Sequence, residues 1–266
     1  MNKNESSRRK FVKRSTAGIG ALAFSRFGGI SKGSPVSGLF PNKVEKILHI
    51  MCVGAHPGDP EFGCGGTLAR YSDAGHHVSV LYLTRGEAGD PSKSYEESAS
   101  LRTREAETAC KLLNVKPLFA GQIDANTELN KVRIDDMVRL IQSEKPDILF
   151  THWPLDTHPD HQVAGLLAFN AWARSGELFQ LYYYEVNTGS ETMDFEPTDY
   201  VDISGVREKK KSAMFAHKTQ NPEEIYADFF KTMEEFRGLQ SGVKAAEGFI
   251  HFKVKGERAT LSGLQS

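Results

Sequence analysis

The chain has 266 residues, 39% of them apolar and 25% charged, with a net charge of −1. That balance excludes a disordered chain, a collagen and a coiled coil, and it leaves no electrostatic footprint for nucleic acid. The three cysteines, Cys52, Cys64 and Cys110, are too few and too scattered for a disulfide framework and read as buried thiols.

Residues 1–25 differ from the rest. They hold six basic residues and one acid and run into a weakly apolar stretch at 17–24. This reads as an export signal, and Ser7-Arg-Arg-Lys-Phe-Val-Lys13 resembles the twin-arginine signal of bacterial export. The resemblance implies a periplasmic location. The stretch falls well short of the roughly 20 apolar residues of a membrane span, so no integral membrane segment is expected after signal removal. Residues 26–43, rich in Gly, Ser and Pro, read as a linker, and 44–266 as a single domain. Without residues 1–25 the chain carries 27 basic and 33 acidic residues, a net charge of −6.

The body alternates strand and helix patterns. Residues 47–53 are an apolar run closed by Gly54 and predict a buried strand; 65–74 predict a helix stopped at Gly75. A strand follows at 78–84, a long helix over about 96–113, and a short strand at Leu118 and Phe119. Residues 132–143 predict a helix with Ile134, Met137, Val138 and Ile141 on one face. Then come a strand at 147–152, a helix at 162–174, a strand at 181–186, helices at 208–217 and 222–241, and a late strand at 248–254. Such alternation implies βαβ units, hence an α/β fold with a mainly parallel, doubly wound sheet and helices on both faces. Sheets of this kind bind ligands beyond the carboxyl ends of their strands.

Polar segments follow four successive strands at that edge. They are Ala55-His-Pro-Gly-Asp-Pro-Glu61, Thr84-Arg-Gly-Glu87, Gly121-Gln-Ile-Asp124 and the stretch from His152 to His161. The strongest local signal is His158-Pro-Asp-His161, with Pro159 suited to a first helical turn and two histidines three apart on one side. His56, Asp59, His158 and His161 can supply the imidazole and carboxylate ligands that Zn²⁺ accepts. Gly63, Gly65 and Gly66 before a helix suggest a nucleotide loop only weakly, because position 68 is Leu and the glycine fingerprint is incomplete.

These motifs, with the continuation Gly63-Cys-Gly-Gly-Thr-Leu-Ala69, resemble the PIG-L/LmbE family of zinc-dependent N-deacetylases over about residues 47–249. The resemblance implies a Rossmann-like fold and hydrolysis of the N-acetyl group of N-acetylglucosamine units in small conjugates or glycolipids. It implies His56, Asp59 and His161 as zinc ligands, and His158 as the group that stabilises the oxyanion or protonates the leaving amine. By the same resemblance Arg102 faces the substrate, Asp124 binds sugar hydroxyls, and Asp156 and Trp153 line the approach to the second motif. The segments His217-Lys-Thr-Gln220 and Ala246-Glu-Gly-Phe249 resemble weaker C-terminal motifs, which adds Glu247 as a substrate-binding candidate.

One position departs from the family. The family's first motif reads His-Pro-Asp-Asp, whose first Asp is the general base, and this chain has Gly58 there. General-base catalysis is worth about 10²–10⁴-fold. His158, Asp156, Glu61 and Glu87 are candidate stand-ins, and His158 and Asp156 are read as the catalytic residues. Gly58 is expected to leave room beside the metal, and Gly58→Asp to raise turnover if the base is merely missing. The alternative is a non-catalytic sugar- or metal-binding relative that kept the metal site.

Overall fold

A computed structural model describes residues 46–253; the expected signal and linker, 1–43, lie outside them. Among the described residues one sheet contains β1 (His49–Gly54), β2 (His77–Tyr82), β3 (Lys116–Phe119), β4 (Ile148–His152), β5 (Gln180–Tyr184), β6 (Asp199–Asp202) and β7 (Ala246–Phe252). Their order is β3-β2-β1-β4-β5-β7-β6. Strands β1 to β5 pair in parallel, and β7 pairs antiparallel with both β5 and β6. The α/β fold with a mainly parallel sheet is therefore present. Strand β6 is a four-residue, largely polar edge strand with no alternation to mark it in the sequence.

The helices are α1 (Asp59–Asp73), α2 (Tyr95–Leu113), α3 (Lys131–Glu144), α4 (Pro159–Arg174), α5 (Arg207–Met214), α6 (Pro222–Ile225) and α7 (Lys231–Ser241). The period of two along each strand divides the core into two layers. Ile50, Cys52, Val80, Tyr82, Phe150 and Tyr184 pack with α1, α2 and α5 on one face. Met51, Val53, Leu81, Leu149 and Leu181 pack with α3 and α4 on the other. All three cysteines are free and buried, as expected. No helix of the described residues is long and apolar enough to cross a membrane.

Two boundaries differ from the sequence reading. Helix α1 starts at Asp59, well before residue 65, because Gly58 turns the chain into it with φ +111° and Pro60 fits its first turn. Its glycines serve packing: a Cβ on Gly63 would stand 2.5 Å from the Tyr184 ring, and one on Gly66 would stand 2.5 Å from Ile203. The expected 222–241 helix is interrupted by a π turn over Tyr226–Phe230 between α6 and α7.

The topology locates the site. From β1 the chain runs outward to β2 and β3, then returns to lay β4 on the opposite side of β1. The connections leaving β1 and β4 therefore diverge at a switch point, and the crevice between them is open to a ligand. Both histidine motifs lie there.

Candidate metal centre and active site

Each motif is the N-terminus of a helix. Pro57 and Gly58 carry the chain from β1 into α1, and the His56 backbone N–H donates to Asp59 Oδ2 at 2.7 Å. His158 caps α4, its Nδ1 accepting from the Asp160 N–H at 3.2 Å, with Pro159 at the first turn. That bond leaves the proton of a neutral His158 ring on Nε2.

The expected ligands converge on one oxygen. Asp59 Oδ2 lies 3.1 Å from His56 Nδ1, 3.2 Å from His152 Nε2 and 3.5 Å from His161 Nε2. Ligand atoms of Asp59, His152 and His161 lie within 4.8 Å of one another, as do those of His56, His158 and His161. His152 Nε2 already accepts the Ala55 N–H at 3.1 Å, so its lone pair is occupied. His56 and His161 differ, because the far nitrogen of each ring meets a carboxylate. His56 Nε2 lies 3.1 Å from Asp160 Oδ2 and 3.2 Å from Asp124 Oδ1, and His161 Nδ1 lies 3.2 Å from Asp156 Oδ1. A carboxylate on the outer nitrogen of a ligating histidine fixes its tautomer and raises its basicity. This donor set, two so-oriented imidazoles and a carboxylate, fits a cation such as Zn²⁺.

The electrostatics agree. Burial opposes charge on His56, yet Asp59, Asp124 and Asp160 outweigh it and hold its pKa well above the imidazole value. Burial likewise opposes charge on His161, and Asp59 and Asp156 raise it. Asp59 is held well below the carboxylate range, against its burial, by His161, His56 and His152. His152 is pushed down to about 4 by burial and by His161. His158 is lowered by burial and by the same neighbours, His56 and His161.

Above these groups is a cavity of about 380 Å³ whose walls include His158, Arg102, Asp124, Gln220 and Glu191. Arg102 donates from Nη2 to the Pro57 carbonyl at 2.9 Å, and its Nη1 lies 4.0 Å from Asp124. It passes over Gly86 and Gly89, where a Cβ would stand 2.5 Å from the guanidinium arm. The Thr84-Arg-Gly-Glu87 motif thus makes room for Arg102. Arg102, Asp124 and His158 all reach the cavity, as the sequence suggests.

Other expected residues are placed differently. Asp156 is buried behind His161, accepting from His158 N–H at 2.8 Å and Thr192 Oγ1 at 3.0 Å, so it orients the His161 ring and does not face the cavity. Trp153 packs on Tyr183 and Phe195, and its Nε1 donates to the Met193 carbonyl at 3.1 Å, away from the cavity wall. Glu247 accepts from Gly66 N, Thr67 N and Thr67 Oγ1 at 2.8, 2.7 and 2.7 Å and lies 2.7 Å from Lys210 Nζ. Its oxygens are consumed in joining β7 to α1, because the glycine row brings the two elements close. Glu61 is fully buried against Tyr82 and His217, and Glu87 accepts from the Arg85 and Asp124 N–H groups at 3.1 Å.

Gly58 does not leave room. A Cβ there would stand 2.7 Å from Gln220 Nε2 and 3.2 Å from Gln220 Oε1, and the φ of +111° disfavours any side chain. Gln220 Nε2 donates to the Pro57 carbonyl at 2.8 Å, and the neighbouring Thr219 is tied through N and Oγ1 to Glu105 at 2.8 and 2.7 Å. Sequence reasoning assigned no role to Gln220, His152, Asp160 or Glu191. Asp160 sits inside the second motif and His152 at the carboxyl end of β4, so position alone could have nominated both. Nothing local marks Glu191.

A family model described as GlcNAc-PI de-N-acetylase (PIG-L) matches residues 51–172. The chain is 32% identical over 225 residues to the diacetylchitobiose deacetylase of Thermococcus kodakarensis, covering 78% of this chain and 83% of that protein. It is 27% identical to a 1D-myo-inositol 2-acetamido-2-deoxy-alpha-D-glucopyranoside deacetylase of Mycobacteroides abscessus, covering 64% and 81% of the two chains. Its fold is similar to that of an inhibitor-bound N,N'-diacetylchitobiose deacetylase from Pyrococcus horikoshii, with a TM-score of 0.69, 27% identity, and coverage of 80% and 86%.

Proposed function

The chain belongs to the PIG-L/LmbE family of N-acetylglucosamine deacetylases, and from that premise we propose that it is an exported, zinc-dependent hydrolase that removes the N-acetyl group from an N-acetylglucosamine-type sugar or conjugate. The observation that carries this reading is the paired arrangement at His56 and His161. Each turns one nitrogen toward Asp59 and the other toward a carboxylate. Such outer partners are a hallmark of ligating histidines. Relatives named as deacetylases of acetamido sugars support the substrate class.

His56, Asp59 and His161 would hold the metal, which when bound supplies Lewis-acid polarisation and lowers the pKa of water. The chain's own residues do the rest. His158 keeps its ring proton on Nε2 because Nδ1 accepts a backbone N–H, and it can donate to the acetamide oxygen as negative charge develops there. Burial lowers the pKa of that ring and so favours its neutral form, a hydrogen-bond donor and not a fixed charge. Arg102 and Asp124 share the cavity wall and offer a donor and an acceptor for sugar hydroxyls. The basic, twin-arginine-like segment within residues 1–25 supports export.

Zinc analysis of the purified protein, with amine and acetate release from a panel of N-acetylglucosamine conjugates, tests this. The expected result is about one zinc per chain and turnover, both lost in His161→Ala. Zinc binding without turnover across the panel would instead favour a non-catalytic sugar- or metal-binding relative.

A further inference from the structure

Position 58 lacks a proton acceptor. The space is taken by the Gln220 carboxamide, 2.7 Å from where a Cβ would stand, and an amide does not accept a proton from water at neutral pH. An acceptor must therefore come from another wall of the cavity. Three acids line it: Asp59, Asp124 and Glu191. Asp59 is surrounded by three imidazole nitrogens. Asp124 is committed to His56, to the Ala88 N–H at 3.2 Å and to Arg102. Neither can take a proton without dismantling the metal group. Of the other candidates, Asp156, Glu61 and Glu87 do not line the cavity, and His158 has its acceptor nitrogen occupied.

We propose that Glu191 is the general base of this deacetylase, taking over from the cavity wall the role of the missing position-58 carboxylate. The inference rests on the deacetylase reading above. Glu191 belongs to the turn between β5 and β6, where the Ser190 and Glu191 N–H groups both donate to the Asn187 carbonyl at 2.9 Å. Three bonds staple that turn to the segment preceding the second motif. Thr157 N–H donates to the Glu191 carbonyl at 2.9 Å, Met193 N–H to the Leu155 carbonyl at 2.9 Å, and Thr192 Oγ1 to Asp156 Oδ2 at 3.0 Å. The last reaches the carboxylate that orients His161, so the turn and a metal ligand are positioned together. The residue is half-buried and lines the cavity. Burial raises its pKa, His161 and a hydrogen bond with the Asn187 side chain oppose this, and the carboxylates of Asp59 and Asp156 add to it. A raised carboxyl pKa suits proton uptake near neutrality.

The step balances. Glu191 takes one proton from the attacking water as the water oxygen bonds to the acetyl carbon, and the carbonyl π pair moves to the carbonyl oxygen, facing His158. When that pair returns, the C–N bond breaks and the nitrogen receives the proton from the Glu191 carboxyl. The products are acetic acid, which ionises in solvent, and a free amine.

The test compares Glu191→Gln and Glu191→Asp with the wild type, all zinc-loaded, on an N-acetylglucosamine conjugate that the wild type turns over. Glu191→Gln should lower kcat by about 10²–10⁴-fold with KM little changed. Zinc content and melting temperature should match the wild type, and N-acetylglucosamine should bind the metal-free variant and metal-free wild type equally in calorimetry. Glu191→Asp, which keeps the carboxylate, should retain more activity, and added formate should partly rescue Glu191→Ala. An unchanged kcat in Glu191→Gln, or a raised KM with weakened sugar binding by the metal-free protein, overturns the assignment while the deacetylase reading stands. A zinc-loaded wild type that turns over no conjugate overturns that reading and this inference with it.

Discussion

Two buried charged regions lie on this sheet, and they are balanced differently. Behind α1, Lys210 Nζ sits 3.0 Å from Glu234 and 2.7 Å from Glu247, Arg207 Nε donates to Glu234 at 2.8 Å, and Arg237 holds Glu185 through two bonds of 2.6 Å. There each buried carboxylate meets a fixed cation. At the carboxyl ends of β1 and β4, four buried aspartates, Asp59, Asp124, Asp156 and Asp160, share Arg102 and a group of histidines. The first region is complete as it stands and joins α1, α5, α7 and β7. The second is short of positive charge, which protonated histidines supply in the protein alone and a metal ion would supply in their place. Buried charge that is matched pairwise builds the fold, whereas buried charge lacking a permanent partner is poised for a ligand.

Changes at each region should separate these roles. The largest effect is expected at Lys210. Lys210→Met leaves Glu234 and Glu247 buried without their cation and should cost about 3–5 kcal/mol of stability. Chemical denaturation reads this, and metal content per folded chain should be unchanged. Next is the pH dependence of metal binding. The raised pKa values of His56 and His161 mean that both hold their protons to higher pH in the metal-free protein than a free imidazole does. Metal must displace those protons, so affinity should climb as pH rises, by up to about 100-fold per unit while both still titrate, and level off above their pKa values. Calorimetry in buffers of different ionisation enthalpy reads the protons directly; a pH-independent affinity would break the comparison.

Asp156→Asn keeps the shape behind His161 but removes the charge, and should weaken metal binding by about 10–100-fold with little change in melting temperature. A competition titration with a chelator measures it. The smallest effect is expected at Gly58. Gly58→Asp forces a side chain into φ +111° against Gln220 and should cost about 1–2 kcal/mol. It should fail to raise turnover, and an activity gain with an unchanged melting temperature would show that Gln220 yields its place readily.

The sequence by itself determined much of this protein. Short, near-continuous apolar runs alternating with helical patterns specified a mainly parallel α/β sheet, because strands covered on both faces bury successive residues. The two histidine motifs could be assigned to one sheet edge because each directly follows a strand, and parallel strands all end on the same side. The antiparallel edge strand β6 was hidden, since four residues with only Val201 buried carry no hydrophobic period. The π turn at 226–230 was hidden for a similar reason, being an interruption within a continuous helical pattern.

Tertiary structure alone decided which polar residues face the cavity. Asp156 and Glu247 look like site residues in sequence, yet one orients His161 from behind and the other has its oxygens bound by α1 and Lys210. Gln220 and Glu191 reach the site from segments 162 and 133 residues beyond Gly58, the first at the end of a weak C-terminal motif and the second in a turn with no motif of its own. Local patterns encode which face of a strand or helix is buried. Which carboxylate keeps a free oxygen depends on the donors that distant segments bring to it, and only the folded chain supplies those.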